Sequence, residues 1–137
     1  MGVVKSIRDN GLEHVFKTMD PVKDVGGEMQ KYDVVLLCSD YEGYPNVIGE
    51  AFASGIPVIS SAAGDSEKLV RSSNAGYVFD VGDVHGLVGG LEKMCMLSAS
   101  EKQALGMNGR TYAEKEITIR ENVKKHMHLI SCVNKKP

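Results

Sequence analysis

The sequence predicts an α/β fold: a twisted, mainly parallel sheet with helices on both faces. Three observations carry this. Short apolar, β-branched runs recur at Asp33–Cys38, Pro57–Ser60 and Gly76–Phe79. The stretches between them carry helix caps and stops, and their length suits crossover helices rather than hairpins. The run Asp33-Val-Val-Leu-Leu-Cys38 is continuously apolar rather than alternating, the pattern of a strand buried on both faces. Strands separated by helices of this kind build right-handed βαβ units.

In order, Val3 to Gly11 reads as a helix stopped by Asn10-Gly11, and Val15-Phe16-Lys17 as a short strand. Asp20-Pro21 opens a polar stretch with a helix at Lys23–Lys31, before the Asp33–Cys38 strand. Asn46 suits the N-cap of a helix Val47–Ser54, with Gly55 as its stop and Pro57 where a helix cannot resume. After the Pro57–Ser60 strand come a helix at Ser66–Arg71, the Gly76–Phe79 strand, and a helix Asp83–Leu97 with Asp83 as cap. A helix Ser100–Glu116 with Ser100 as cap and a final helix Thr118–Ser131 follow. Residues 1–133 thus read as one domain, and 134–137 as a disordered basic tail.

Composition narrows the function classes. A net charge of −2 with scattered Lys and Arg gives no basic stripe for nucleic acid. Cys38, Cys95 and Cys132 are odd in number and widely spaced, which signals neither a disulfide framework nor a zinc site and suits a reducing, cytoplasmic setting. The longest apolar run, Val34–Cys38, is far too short to span a bilayer. The four histidines fall in turns or on polar helix faces and read as surface residues. Met94, Met96, Leu97, Leu105 and Met107 read as packing.

The stretch Ser39–Ser60, SDYEGYPNVIGEAFASGIPVIS, carries the chemistry. In an open parallel sheet, ligands bind beyond the carboxyl ends of the strands, where Ser39–Asn46 should lie. Gly43 permits close backbone approach, Pro45 fixes φ, and the helix start aims free N–H groups at the crevice, a ready phosphate site. Glu42 and Glu50 have seven residues between them. Glu50 sits about one turn into the helix with its Cα–Cβ bond tilted back toward the N-terminus, on the edge of an apolar face of Val47, Ile48, Ala51 and Phe52. A carboxylate beside a phosphate is repelled, so the acids make sense if they meet hydroxyls while the phosphate sits on the amides between them. Acid, amide, acid matches the layout of a nucleotide sugar. Taken alone, Glu50 also suits the positive end of a short helix, worth about 0.3–1 kcal/mol, and Glu42 a solvated loop.

Ser39-x-x-Glu42-Gly-Tyr-Pro-Asn-Val-x-x-Glu50-Ala-Phe-Ala-x-Gly55-x-Pro57-Val resembles the C-terminal half of the retaining glycosyltransferases of family 4, or group 1, which have the GT-B fold. The resemblance continues through Val15-Phe16 with Asp24-Val25, Asp33-Val-Val-Leu-Leu, Gly64-x-x-Glu67-x-x-Val70, Ala75-Gly76-Tyr-Val-Phe, Asp83 and Gly106-x-x-Gly109-Arg110. It implies a Rossmann-like GT-B lobe that binds a nucleoside-diphosphate sugar and passes a hexosyl group, with retention and without an obligatory metal, to a glycan or lipid-linked acceptor. It further implies that Glu42 contacts the donor sugar near the reacting centre. The amides around Asn46 and Val47 would then hold the diphosphate, and Glu50 the ribose, with Ser39, Gly43 and Tyr44 completing the donor site.

Two positions depart from the family pattern: Cys38 stands where Pro is usual, and Ala63 replaces the first of two glycines before Glu67. The family's basic pair for the diphosphate and its acceptor lobe have no counterpart here. The expectation is therefore a lobe lacking its first strand and helix, inactive by itself, with an exposed sheet edge prone to self-association. Membrane-surface attachment is an expectation for the parent protein only. The alternative reading is a non-catalytic nucleotide-binding module or inactive fragment; a GT-B epimerase ranks below both.

Overall fold

The computed structural model describes residues 2–133, so the tail expected at 134–137 lies outside the described residues. The elements in chain order are α1 (Val3–Asp9), α2 (Val25–Met29), β1 (Val35–Leu37), α3 (Asn46–Ala53), β2 (Val58–Ser61) and α4 (Ser66–Ser73). They continue with β3 (Gly76–Phe79), α5 (Val84–Met96), α6 (Ala99–Tyr112), a π-helical turn (Ala113–Ile117) and α7 (Ile119–Val133). The sheet is parallel, in the order β1-β2-β3. Val35 pairs with Val58, and Val58 in turn with Gly76.

Strand alternation divides the core in two. Val35, Leu37, Val58 and Val78 point to one face and pack with Ile48, Ala51, Phe52, Leu69, Val70 and Ala75 around α3 and α4. Ile59, Tyr77 and Phe79 point to the other and pack with Met94, Leu87 and Leu91 of α5. β2, central and covered on both sides, is buried at every position. α6 closes the amino end of the sheet. A Cβ on Gly106 would fall 1.9 Å from the Gly55 carbonyl oxygen, and one on Gly109 2.7 Å from the Phe52 ring, so both crossings need glycine for contact rather than for φ.

The alternation of strands and helices is as expected, and β3 has the expected bounds. Gly55 adopts φ +73° as the stop after α3, and Asp83 caps α5 by accepting from the Gly86 N–H at 3.0 Å. Six details differ. Val15-Phe16-Lys17 is not a strand: the N–H groups of Val15 and Phe16 both bond to the Leu12 carbonyl, forming a turn, and both side chains are more than half exposed. No strand lies beside it among the described residues, and an unpaired strand leaves its backbone groups without ladder partners.

β1 is not buried on both faces. It is an edge strand, α5 covers β2 and β3 but not it, and Leu36 is 42% exposed. The expected helix at Lys23–Lys31 contracts to α2, started by Asp24, whose carboxylate accepts from the Gly27 N–H. Asn46 is the first residue of α3 rather than its cap; Pro45 takes that place with no side-chain bond. Ser98, not Ser100, caps α6, because Ser98-x-x-Glu101 forms a reciprocal box in which each side chain accepts from the other's backbone N–H. The helix expected to run to Glu116 ends at Tyr112 and passes into the π turn.

Candidate functional site

The loop between β1 and α3 crosses the carboxyl end of the sheet and is tied down from three sides. Ser39 donates its hydroxyl to Glu42 Oε1 at 2.7 Å, so the two acid-loop residues of the sequence pattern meet directly. Ser61, at the end of β2, donates to the Ser39 carbonyl at 2.7 Å and fixes that corner to the central strand. The loop before α4 docks on the other flank, where the Asp65 N–H donates to the Gly43 carbonyl at 3.2 Å.

Gly64 makes that docking possible. Its φ is +55°, and a Cβ there would lie 2.0 Å from the Glu42 carbonyl oxygen. Ala63 is buried, and the close approach falls to Gly64, so the departure at 63 leaves the contact intact.

Beyond the buried Pro45, α3 starts at Asn46, with Asn46 and Val47 in its first turn and no acid there. Helical geometry leaves the first N–H groups of such a turn unpaired by the helix itself and aligns its positive end with the loop. Glu50 stands exposed in the second turn, on the rim of the buried face made by Ile48, Ala51 and Phe52. Glu42 is half-buried and held, whereas Glu50 is free to solvent on a rigid helix.

Ser39 lies between two different surroundings. On the α5 side, a cleft of about 180 Å³ is lined by Cys38, Ser39, Asp40, Ser61, Phe79 and Asp83. Desolvation pushes the Cys38 thiol up, so it stays protonated and is a poor nucleophile. On the α4 side, Tyr44 lines a cleft of about 190 Å³ with Asp65, Lys68, Tyr112 and Glu116. Desolvation, then the neighbouring Tyr112 and Asp65, push the Tyr44 phenol up, keeping it a hydrogen-bond donor.

Of the residues singled out from sequence, Ser39, Glu42 and Gly43 thus form one tied loop, and Asn46, Val47 and Glu50 follow on α3. Tyr44 borders the neighbouring cleft. Glu67, the acid of the Gly64-x-x-Glu67 pattern, instead pairs with Arg71 at 2.8 Å on the exposed face of α4. Sequence reasoning missed Ser61, whose position at the end of an apolar strand next to the crevice was the available signal.

The fold is that of one lobe of the GT-B glycosyltransferases. Sucrose-phosphate synthase from Thermosynechococcus elongatus superposes with a TM-score of 0.85 at 20% identity over 96% of this chain and 33% of that one. HepE of Anabaena, solved with UDP-glucose, gives 0.81 at 24% identity over 94% and 36%. The family model of the glycosyl transferases group 1 matches residues 3–96, and the chain belongs to that family. The Vi polysaccharide biosynthesis protein VipC/TviE of Salmonella typhi is 45% identical over 58 residues, 42% of this chain. The chain spans only 10% of that relative's length. No helix among the described residues is long and apolar enough to cross a membrane.

Proposed function

We propose that this chain is the donor-binding lobe of a retaining glycosyltransferase of family 4. In this reading the protein transfers a hexosyl group from a nucleoside-diphosphate sugar to a glycan or lipid-linked acceptor, without an obligatory metal, at the cytoplasmic side of the cell. The observation that carries it is the Ser39–Glu42 hydrogen bond beside the start of α3. Because the Ser39 hydroxyl occupies one carboxylate oxygen, the other is left to accept from a sugar hydroxyl or to face positive charge at the anomeric carbon. The first-turn amides of α3 suit the diphosphate. Glu50, a turn further and clear of those amides, suits the ribose hydroxyls. The acceptor would bind a second lobe, which the greater length of the relatives accommodates.

One observation favours the second reading, a nucleotide-binding module without transfer: neither the Ser39–Asn46 loop nor the Ala62–Asp65 loop contains a Lys or Arg to offset the diphosphate charge. Calorimetric titration with nucleoside diphosphates and their sugars, together with release of labelled sugar, separates the two. The first reading expects one nucleotide to bind and Glu50→Ala to weaken it by about 1.5–3 kcal/mol, tenfold or more. It further expects sugar release when the chain is joined to its acceptor lobe. Binding without release in that longer protein supports the module, and no binding of any nucleotide overturns both.

A further inference from the structure

Asn108, Thr111 and Tyr112 stand at i, i+3 and i+4 on α6, so two small polar side chains and a ring share one helix face. That face and α4 form the walls of a groove that begins beside the Ser39–Asn46 loop. Its near section is the cleft of about 190 Å³ at Tyr44, and a far section of about 340 Å³ continues it, joined because Tyr112 and Glu116 line both. The walls run in opposite directions: Lys68 shares the near section with Glu116, while Ser72 shares the far section with Asn108 and Thr111. The α4 wall is about 12 Å long. The Asn108 side-chain amide donates to the Asn74 carbonyl at 3.1 Å and fixes the far end. Tyr112 meets Phe52 edge-on with ring centroids 6.1 Å apart, so the core holds its ring in place. Tyr44 is 46% exposed, and its phenol keeps its proton near Asp65 and Tyr112.

We propose that the groove between α4 and α6 is a glycan-binding subsite that holds a short, uncharged oligosaccharide segment leading toward Tyr44. Charge, shape and chemistry each support this occupant. Lys68 and Lys115 are matched by Asp65 and Glu116, so the lining carries no net charge and does not select a phosphate or an acidic chain. Leu69 and Ile117 supply its aliphatic lining, too little to seat an amphipathic helix, which needs anchors on successive turns. What the walls offer instead is two tyrosine rings and the hydroxyls of Ser72, Thr111 and both phenols. A sugar ring presents weakly positive C–H bonds that suit the negative face of an aromatic ring, and hydroxyls that both donate to and accept from such groups. Tyr44 is two residues from Glu42, so a chain lying in the groove ends beside the tied loop. The subsite's place next to sugar transfer rests on the donor-binding reading; the binding of the glycan does not.

The test is an amide NMR titration of the whole chain with maltotriose, cellotriose, chitotriose and mannotriose, and with trigalacturonic acid as the anionic control. At least one neutral trisaccharide should saturate at about millimolar concentration, with the shifted amides falling on Lys68–Ser73 and Asn108–Glu116. Ser72→Arg with Thr111→Arg fills the groove from two exposed positions and should weaken that binding by about tenfold or more. The rest of the spectrum should stay unchanged in this variant. Its affinity for nucleoside diphosphates, read by calorimetry, should equal that of the wild-type chain, which keeps failure of the subsite distinct from failure of the donor site. Tyr112→Phe retains the ring and its packing on Phe52, removes the hydroxyl, and should weaken binding by about threefold. The proposal is overturned by saturation with none of the neutral trisaccharides, by binding that survives the arginines, or by tighter binding of trigalacturonic acid. Shifts centred on Ser39–Glu50 overturn it too, because the sugar would then occupy the donor crevice.

Discussion

β2 and β1 are neighbours in one sheet, yet they live in different environments. β2 is buried at all four positions, with Ile59 against Phe79 and Met94 on one face and Val58 against the α3–α4 cluster on the other. β1 has three residues, one paired edge, and a Leu36 facing solvent where α5 does not reach. The Ser39–Asn46 loop grows from the weaker strand but is held by the stronger one: Ser61 of β2 grips the Ser39 carbonyl, and the loop before α4 pins Glu42 and Gly43. A loop carried on an edge strand thus takes its ties from the adjacent centre, which is what the proposed role of Glu42 would require.

The largest effect expected is at the centre. Ile59→Ala should lower unfolding free energy by about 2–5 kcal/mol, because the cavity opens between two helical layers that cannot both collapse into it. Chemical denaturation measures it, and a loss below about 1 kcal/mol would mean that the central strand is no better packed than the edge.

Gly64→Ala comes next and targets the join between the two regions. The φ of +55° and the Glu42 carbonyl 2.0 Å from the new Cβ both oppose it, and the obstacle is backbone, which cannot rotate away. A cost of about 2–3 kcal/mol is expected from strain and overpacking together. Nucleotide-sugar affinity should fall with it, as the Glu42 loop is forced off the α4 loop. A destabilised variant with undiminished affinity would show that the docking of these loops does not position the site.

Ser66→Ala should act in the opposite direction. The Ser66 hydroxyl is fully buried at the start of α4 and has no hydrogen-bond partner among the described residues. Removing an unsatisfied buried polar atom should raise stability by about 1 kcal/mol, read as a shift of several degrees in Tm. A decrease would imply that the hydroxyl has a partner such as a bound water.

How much of this was legible in the sequence follows from where the signals are local. Strand runs bounded by Gly and Pro, the αL stop at Gly55 and the Asp83 cap are readable because each depends on a few consecutive residues. The position of Ser39–Asn46 just past the carboxyl end of β1 was likewise readable, because it follows from where that strand stops. The strand expected at Val15–Lys17 failed because its formation depends on a partner strand, which a local pattern cannot supply. β1 was read as doubly buried from an apolar run that does not say whether a helix covers it. Ser98 and Ser100 are both capping residue types, and only the Glu three residues after Ser98 distinguishes them, through the capping box. The π turn has no local signature at all: it follows α6 directly, and its Ile117 lies near Gly49 of α3, a contact set by the tertiary fold.

The smallest stability effect, and the sharpest test of the edge, is Leu36→Lys. Leu36 is 42% exposed and has no helix over it, so the substitution should change unfolding free energy by no more than about 0.5 kcal/mol, several-fold less than Ile59→Ala. Its consequence should appear in association instead. β1 offers unpaired backbone groups along one edge and an exposed Leu36 on one face, a combination that invites strand pairing between chains. A lysine there places like charges together whenever two such edges meet. Sedimentation velocity over a concentration series should show self-association of the wild-type chain that the variant reduces. Equal association in both would place the contact elsewhere, and a large loss of stability would mean that the uncovered face of β1 is packed as tightly as the centre.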